Sequence, residues 1–220
     1  MRKTLISSAL VLGVVGFAFY QQTLGFEAYT AETKRRVEIE RQPLSVPQVK
    51  FQNQAGELVS WDSFQGQYVI ADFIYTRCET VCLGLGVEFA RLQRQAADLI
   101  SDGQLQLLTI SFDGDYDRPA QLAEYLSRFK ADSASWSAAR VQDSLQLDHL
   151  KDAFGVIALP DGEGGYIHNA ALHLISPEGR LMKIVDYNQG HELLAGIRQK
   201  LSQIAGVPDA EISPVAIAAN

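Results

Sequence analysis

Cysteine is nearly absent from this chain. Two residues in 220, Cys78 and Cys82, are all there is, and they stand four apart. So few exclude a multi-bridge disulfide framework. They also exclude a structural zinc site built on four thiolates. Basic charge is short as well. Nineteen Lys and Arg face 26 Asp and Glu, a net charge of −7, so the basic footprint that nucleic acid requires is missing. Charged residues amount to 20% and hydrophobic residues to 47%, which excludes a disordered chain and calls for a cored domain. The length suits one domain with short additions. No internal repeat and no low-complexity segment interrupts it.

One uncharged run is present, at the N-terminus. No charge falls from Thr4 to Phe26, and the strongly apolar part runs from Leu5 to Tyr20. Sixteen residues at about 1.5 Å each barely cross a hydrocarbon core of about 30 Å. Gly16-Phe17-Ala18 is a poor cleavage site buried inside the run. Residues 1–22 therefore read as an uncleaved, single-pass anchor rather than a cleaved signal. Arg2 and Lys3 put its start in the cytoplasm, although Lys34, Arg35 and Arg36 beyond it pull the other way. The rest of the chain then faces an oxidising, extracytoplasmic space, where paired cysteines can bridge.

Residues 23–45 read as a polar juxtamembrane linker with a helical stalk before Pro43. The globular domain is expected over 46–207 and a flexible tail over 208–220. "VKFQNQAGELVSWDSF" alternates around Gln54–Glu57 as a hairpin does. "QYVIADFIY" (67–75) and "LQLLTISF" (105–112) are continuous apolar runs, the mark of strands buried on both faces. Helices are expected from about Val87 to Ile100, over 118–129 with Asp117 as cap, over 144–154 and over 191–206. "AALHLIS" and "RLMKIVDY" flank Pro177-Glu178-Gly179 as an antiparallel hairpin. Strands alternating with helices demand a sheet with helices on its faces. The expected class is α/β, a thioredoxin-like fold with a central mixed sheet and an added N-terminal hairpin.

Cys78 follows a buried strand and Cys82 precedes a helix, at the carboxyl edge of the sheet where sites in open α/β folds collect. A helix N-terminus and Arg77 both favour the thiolate, the reactive and metal-binding form. If residues 78–82 make one helical turn, both sulfurs fall on one face. They can then form a disulfide or share a metal. A disulfide there closes a tiny loop and stabilises little. A soft ion that accepts two thiolates and one imidazole, such as Cu(I), suits the available ligands better than zinc.

"DFIYTRCETVC" resembles the F-x-Y-T-x-C-x-x-x-C segment of the Sco/SenC family of copper chaperones. The likeness runs from about residue 46 to 207. "FQNQAGELVSWDSFQGQYVIADF" is similar to the family's hairpin and first core strand. "LLTISFDGDYDRPAQLAEYL" is similar to its S-x-D-P strand and loop, and "YIHNAALHLISPEGRL" to its histidine hairpin. The family usually has proline after each cysteine and Asp-His-Ser at the histidine; here these are Glu79, Leu83 and Ile167-His168-Asn169. The resemblance implies a membrane-anchored thioredoxin-like protein that binds copper, as Cu(I) and with Cu(II) left open, through Cys78, Cys82 and His168. It implies delivery from a copper donor protein to cytochrome c oxidase subunit II, for the CuA centre, or to another copper enzyme. It implies a metallochaperone of the inner membrane facing the periplasm or an equivalent space, rather than an enzyme. It makes Asp113 an acidic residue supporting the site.

Three other histidines compete with His168. His149 lies in a polar helix, His173 within a strand, and His191 at a helix start. "DGDYD" (113–117) begins like an EF-hand loop but has Arg118 where the loop needs glycine, which rules against calcium. The alternative function is an extracytoplasmic thiol-disulfide oxidoreductase working through a Cys78–Cys82 disulfide. Its weaknesses are the three-residue spacing and the lack of proline before "AALHLIS". A peroxidase reading lacks the threonine three residues before either cysteine, where Tyr75 and Glu79 stand.

Overall fold

The structure is a computed structural model that describes residues 2–78 and 80–205. The tail expected over 208–220 lies outside the described residues. The N-terminal segment forms one helix, α1 (Arg2–Gln22). Among the described residues no helix is long and apolar enough to cross a membrane. The transmembrane anchor expected over 1–22 is thus not matched by such a helix. The apolar stretch Leu5 to Tyr20 amounts to only about 24 Å of helix.

The polar stretch that follows does contain a helix, α2 (Ala31–Arg41), capped by Thr30, whose side chain accepts from the Thr33 N–H. It is packed against the sheet rather than standing away from it. Ile39 is buried, and Arg36 bonds Asp186 at 2.8 Å. The Arg35 guanidinium lies over Gly155, where any Cβ would collide with it. Short strands come next: β1 (Leu44–Ser45), then the expected hairpin as β2 (Phe51–Asn53) and β3 (Leu58–Val59).

The core is then laid down in alternation. It runs β4 (Tyr68–Ile74), α3 (Val81–Gln95), α4 (Ala97–Ser101), β5 (Leu105–Ser111), α5 (Pro119–Arg128), β6 (Trp136–Val141) and α6 (Ser144–Phe154). A small ribbon, β7 (Ala158–Pro160) with β8 (Tyr166–His168), precedes β9 (Ala171–Ile175), β10 (Arg180–Asp186) and α7 (Gly190–Ala205). Among the described residues the main sheet has eight strands, in the order β1-β10-β9-β4-β5-β6-β2-β3. β4, β5 and β6 run parallel, joined by helical crossovers as parallel neighbours require. β9 lies antiparallel to β4, so the sheet is mixed. Every residue of β4 is buried, which is why that run carries no polar alternation apart from Asp72.

Several elements differ from expectation. β6 was not expected: its "WSAARV" offers small residues, and only its position between β5 and β2 buries them. α3 begins at Val81, a turn and a half before Val87, so Cys82 lies inside the helix rather than ahead of it. Its Gly86 has no room for a Cβ, which would sit 2.2 Å from the Phe129 ring. Asp117 does not cap α5. Arg118 holds the cap position without a side-chain bond. Asp117 instead turns inward, fully buried, where it accepts from the Thr76 N–H and from the hydroxyls of Thr76 and Ser111. Three converging donors inside outweigh one helix-end bond at the surface.

Candidate metal centre

β4 delivers the chain to the carboxyl edge of the sheet, and the Cys78 N–H donates to Tyr75 O at 3.2 Å as the chain turns. Cys78 is 5% exposed and Cys82 is fully buried in the first turn of α3. Both are free thiols. His168 arrives from the other side, at the end of β8. Its Nε2 lies 3.4 Å from Cys82 Sγ and 3.9 Å from Cys78 Sγ. The two sulfurs and a ring nitrogen all lie within 4.8 Å of one another. A trigonal ion with metal–sulfur bonds of about 2.3 Å needs its donors about 4.0 Å apart, so small adjustments would close the site.

The imidazole is held by rings. Its centroid is 5.7 Å from that of Tyr75 and 5.2 Å from that of Phe112, both near edge-on. Tyr166 closes the cage, 5.2 Å from Tyr75 and 5.3 Å from Phe112. His168 Nδ1 lies 3.0 Å from Asn169 O. A carbonyl only accepts, so Nδ1 carries a proton and Nε2 is the atom turned to the sulfurs.

The two thiols have opposite tendencies. Burial would push Cys78 up, but the contact with His168 and hydrogen bonds from the backbone N–H groups of Cys82 and Thr80 and from the Thr80 hydroxyl bring it down to about 6. Burial pushes the Cys82 thiol well above its usual range, and the neighbouring Cys78 and Asp72 add to this. At neutral pH the pair is one thiolate and one thiol. Asp72, on β4 beneath them, is fully buried, and among the described residues neither carboxylate oxygen makes a hydrogen bond of good geometry. Burial raises it to about 7.

Asp113 is not among the converging donors. It is buried and receives Arg77 Nη2 at 2.6 Å and the Tyr166 hydroxyl at 3.4 Å. It therefore links the residue before Cys78 to the ribbon that carries His168. The other histidines are elsewhere. His149 and His191 are exposed on α6 and α7. His173 is buried in β9 with its ring nitrogens against Ala71 O and Phe154 O, and burial pushes it down to about 3. The ribbon, the aromatic cage, Asp72 and Asn169 were not anticipated. The signal for the ribbon was "LPDGEGGYIH", a glycine-rich turn between short apolar pairs.

A family model described as SCO1/SenC matches residues 39–203. The SCO1 protein homolog of Bacillus subtilis is 31% identical over 140 residues, 63% of this chain and 70% of that protein. Among solved structures, a SCO1/SenC family lipoprotein from Bacillus anthracis aligns with a TM-score of 0.65 at 25% identity, covering 72% of this chain and 97% of that one. Bradyrhizobium japonicum ScoI, solved with copper bound, aligns with a TM-score of 0.57 at 22% identity over 71% and 98% of the two chains.

Proposed function

Because the chain belongs to the SCO1/SenC family, we propose that it is a copper metallochaperone. Cys78, Cys82 and His168 hold Cu(I) and pass it to an apo-oxidase subunit, the CuA-bearing subunit II of cytochrome c oxidase, or to another copper enzyme. One observation carries the reading: two free sulfurs and an imidazole nitrogen converge within 4.8 Å at the edge of the sheet. Two thiolates and one imidazole are a donor set for a soft monovalent ion. The copper-bound structure of Bradyrhizobium japonicum ScoI supports the same direction. Asp113 supports the site by fixing Arg77 and Tyr166.

Binding has a proton balance. Cys78 already favours the thiolate at neutral pH, whereas Cys82 keeps its proton. Cu(I) therefore displaces the Cys82 proton, and loading releases acid. We place the domain outside the cytoplasm, tethered through residues 1–22. That the similar Bacillus anthracis protein is a lipoprotein supports a tether of some kind.

The unequal thiols favour a second reading as a thiol-disulfide oxidoreductase. The Cys78 thiolate attacks a partner disulfide and expels one partner thiolate. Cys82, losing its proton, then displaces the second, leaving Cys78–Cys82 oxidised and the partner dithiol reduced. Cu(I) titration of the reduced protein decides the main reading. One tightly bound Cu(I) per chain, lost in Cys78→Ser and in Cys82→Ser, is expected. Tight binding that survives either substitution would overturn it.

A further inference from the structure

His168 rides on a two-stranded ribbon that forms a sheet of its own, apart from the eight-stranded one. Its ring must nonetheless meet two fixed sulfurs. On one side Tyr166 reaches Asp113. On the other side the ties all come from the next residue, Asn169. Its Oδ1 accepts from the Ile157 N–H at 2.8 Å, and its Nδ2 donates to Gly155 O at 2.9 Å. Its own N–H donates to Ile157 O at 3.3 Å. These bonds pin Asn169 to the corner where α6 ends, with Gly155 in the left-handed conformation at φ 66°. The carbonyl of the same residue faces His168 Nδ1 at 3.0 Å.

We propose that Asn169 is the positioning residue for the His168 ligand. Its side chain fixes the backbone carbonyl that accepts from Nδ1–H. That bond selects the tautomer in which Nε2, the atom facing both sulfurs, carries the lone pair. The partner of a ligand's distal nitrogen orients the ring and sets which nitrogen is free. A side chain with a single polar atom cannot take the place of two separate amide atoms reaching Ile157 N and Gly155 O. The inference rests on the metal-centre reading for its affinity readout alone, since the tautomer is a property of the metal-free protein.

The test uses the full, reduced chain with ¹⁵N-labelled histidine. Long-range ¹H–¹⁵N correlation at a pH where the ring is neutral reports which nitrogen of His168 is protonated. Competition with a chromophoric Cu(I) chelator reports affinity. The wild type is expected as the Nδ1–H tautomer. Asn169→Ala should give a mixture of tautomers and lose about tenfold in Cu(I) affinity, the lower end of what distal partners of ligands contribute. Asn169→Asp keeps the acceptor for Ile157 N–H but not the donor to Gly155 O, and should fall between. If the alanine variant does not fold, the aspartate variant is read in the same way. A wild-type ring protonated on Nε2, or a tautomer unchanged in the folded variants, would overturn the proposal whatever the affinity does. A wild type that binds no Cu(I) would remove the metal reading and leave the tautomer to decide the positioning role.

Discussion

Cys78 and Cys82 are chemically unequal although they are four residues apart on one turn. Hydrogen bonds to Cys78 overcome its burial and bring it to about 6, while burial and two neighbouring negative groups push Cys82 the other way. Alkylation of the reduced protein should therefore modify Cys78 first, with a rate that rises through a midpoint near pH 6. Cys82 should stay unmodified across the neutral range. Mass spectrometry of the alkylated peptide checks this, and modification of Cys82 ahead of Cys78 would reverse the assignment of the nucleophile. Asp72 makes a second residue-scale case. Its folded pKa, about 7, lies above the usual carboxylate value. The unfolded chain gives up this proton first, so the protonated carboxyl's contribution is fully present below about pH 4 and is lost as pH rises to 7. One proton gives a slope of up to about 1.4 kcal/mol per pH unit across that window. Asp72→Asn should flatten the stability profile between pH 4 and 7 in denaturant melts, and an unchanged profile would show that Asp72 is ionised or solvated throughout.

At the scale of elements, the ribbon β7–β8 is what makes a histidine 86 residues from Cys82 a neighbour of it. Its turn is organised by Asp161, whose Oδ1 accepts from the N–H groups of Glu163 and Gly165. Asp161→Ala should weaken Cu(I) binding several-fold with little change in the thermal midpoint, since the turn lies outside the core. Equal affinities would mean that the aromatic cage alone holds the imidazole. Helix α2 is different, because it adds to the core. Ile39 is buried where the helix meets the sheet, so Ile39→Ala should cost about 2–5 kcal/mol in chemical denaturation. A cost near zero would show that the domain does not use this helix. The elements were legible in unequal measure. β4, β5, α5, α6, the hairpin β9–β10 and α7 announce themselves through long apolar runs or helical periodicity. β6 does not, because its small residues are buried by neighbouring strands rather than by their own hydrophobicity. The three-residue strands β7 and β8 are too short for a periodic signal. Asp117 was misread because a polar residue before a helix looks the same whether it caps the helix or turns into the core.

For the whole molecule, the proposed function makes redox state and metal occupancy share the same two sulfurs. The cysteine pair was legible from its spacing at the sheet edge, and His168 from a family resemblance. The tie through Asn169 was not, because it depends on Gly155 and Ile157 being brought to the ribbon by the fold. A disulfide consumes both thiolates, so on that proposal the oxidised protein would not hold Cu(I), and the metal would stabilise the dithiol. A ligand that binds one state alone shifts that equilibrium by about 4.1 kcal/mol at a thousandfold excess over Kd. At about 30 mV per 1.4 kcal/mol for two electrons, this corresponds to several tens of millivolts. The most direct test is the reduction potential of Cys78–Cys82 measured with and without Cu(I), in a redox buffer shown not to react with copper. A higher potential is expected with Cu(I), by several tens of millivolts, and a smaller rise in His168→Ala. A potential that ignores Cu(I) would contradict the chaperone reading and leave thiol-disulfide exchange as the function of the pair.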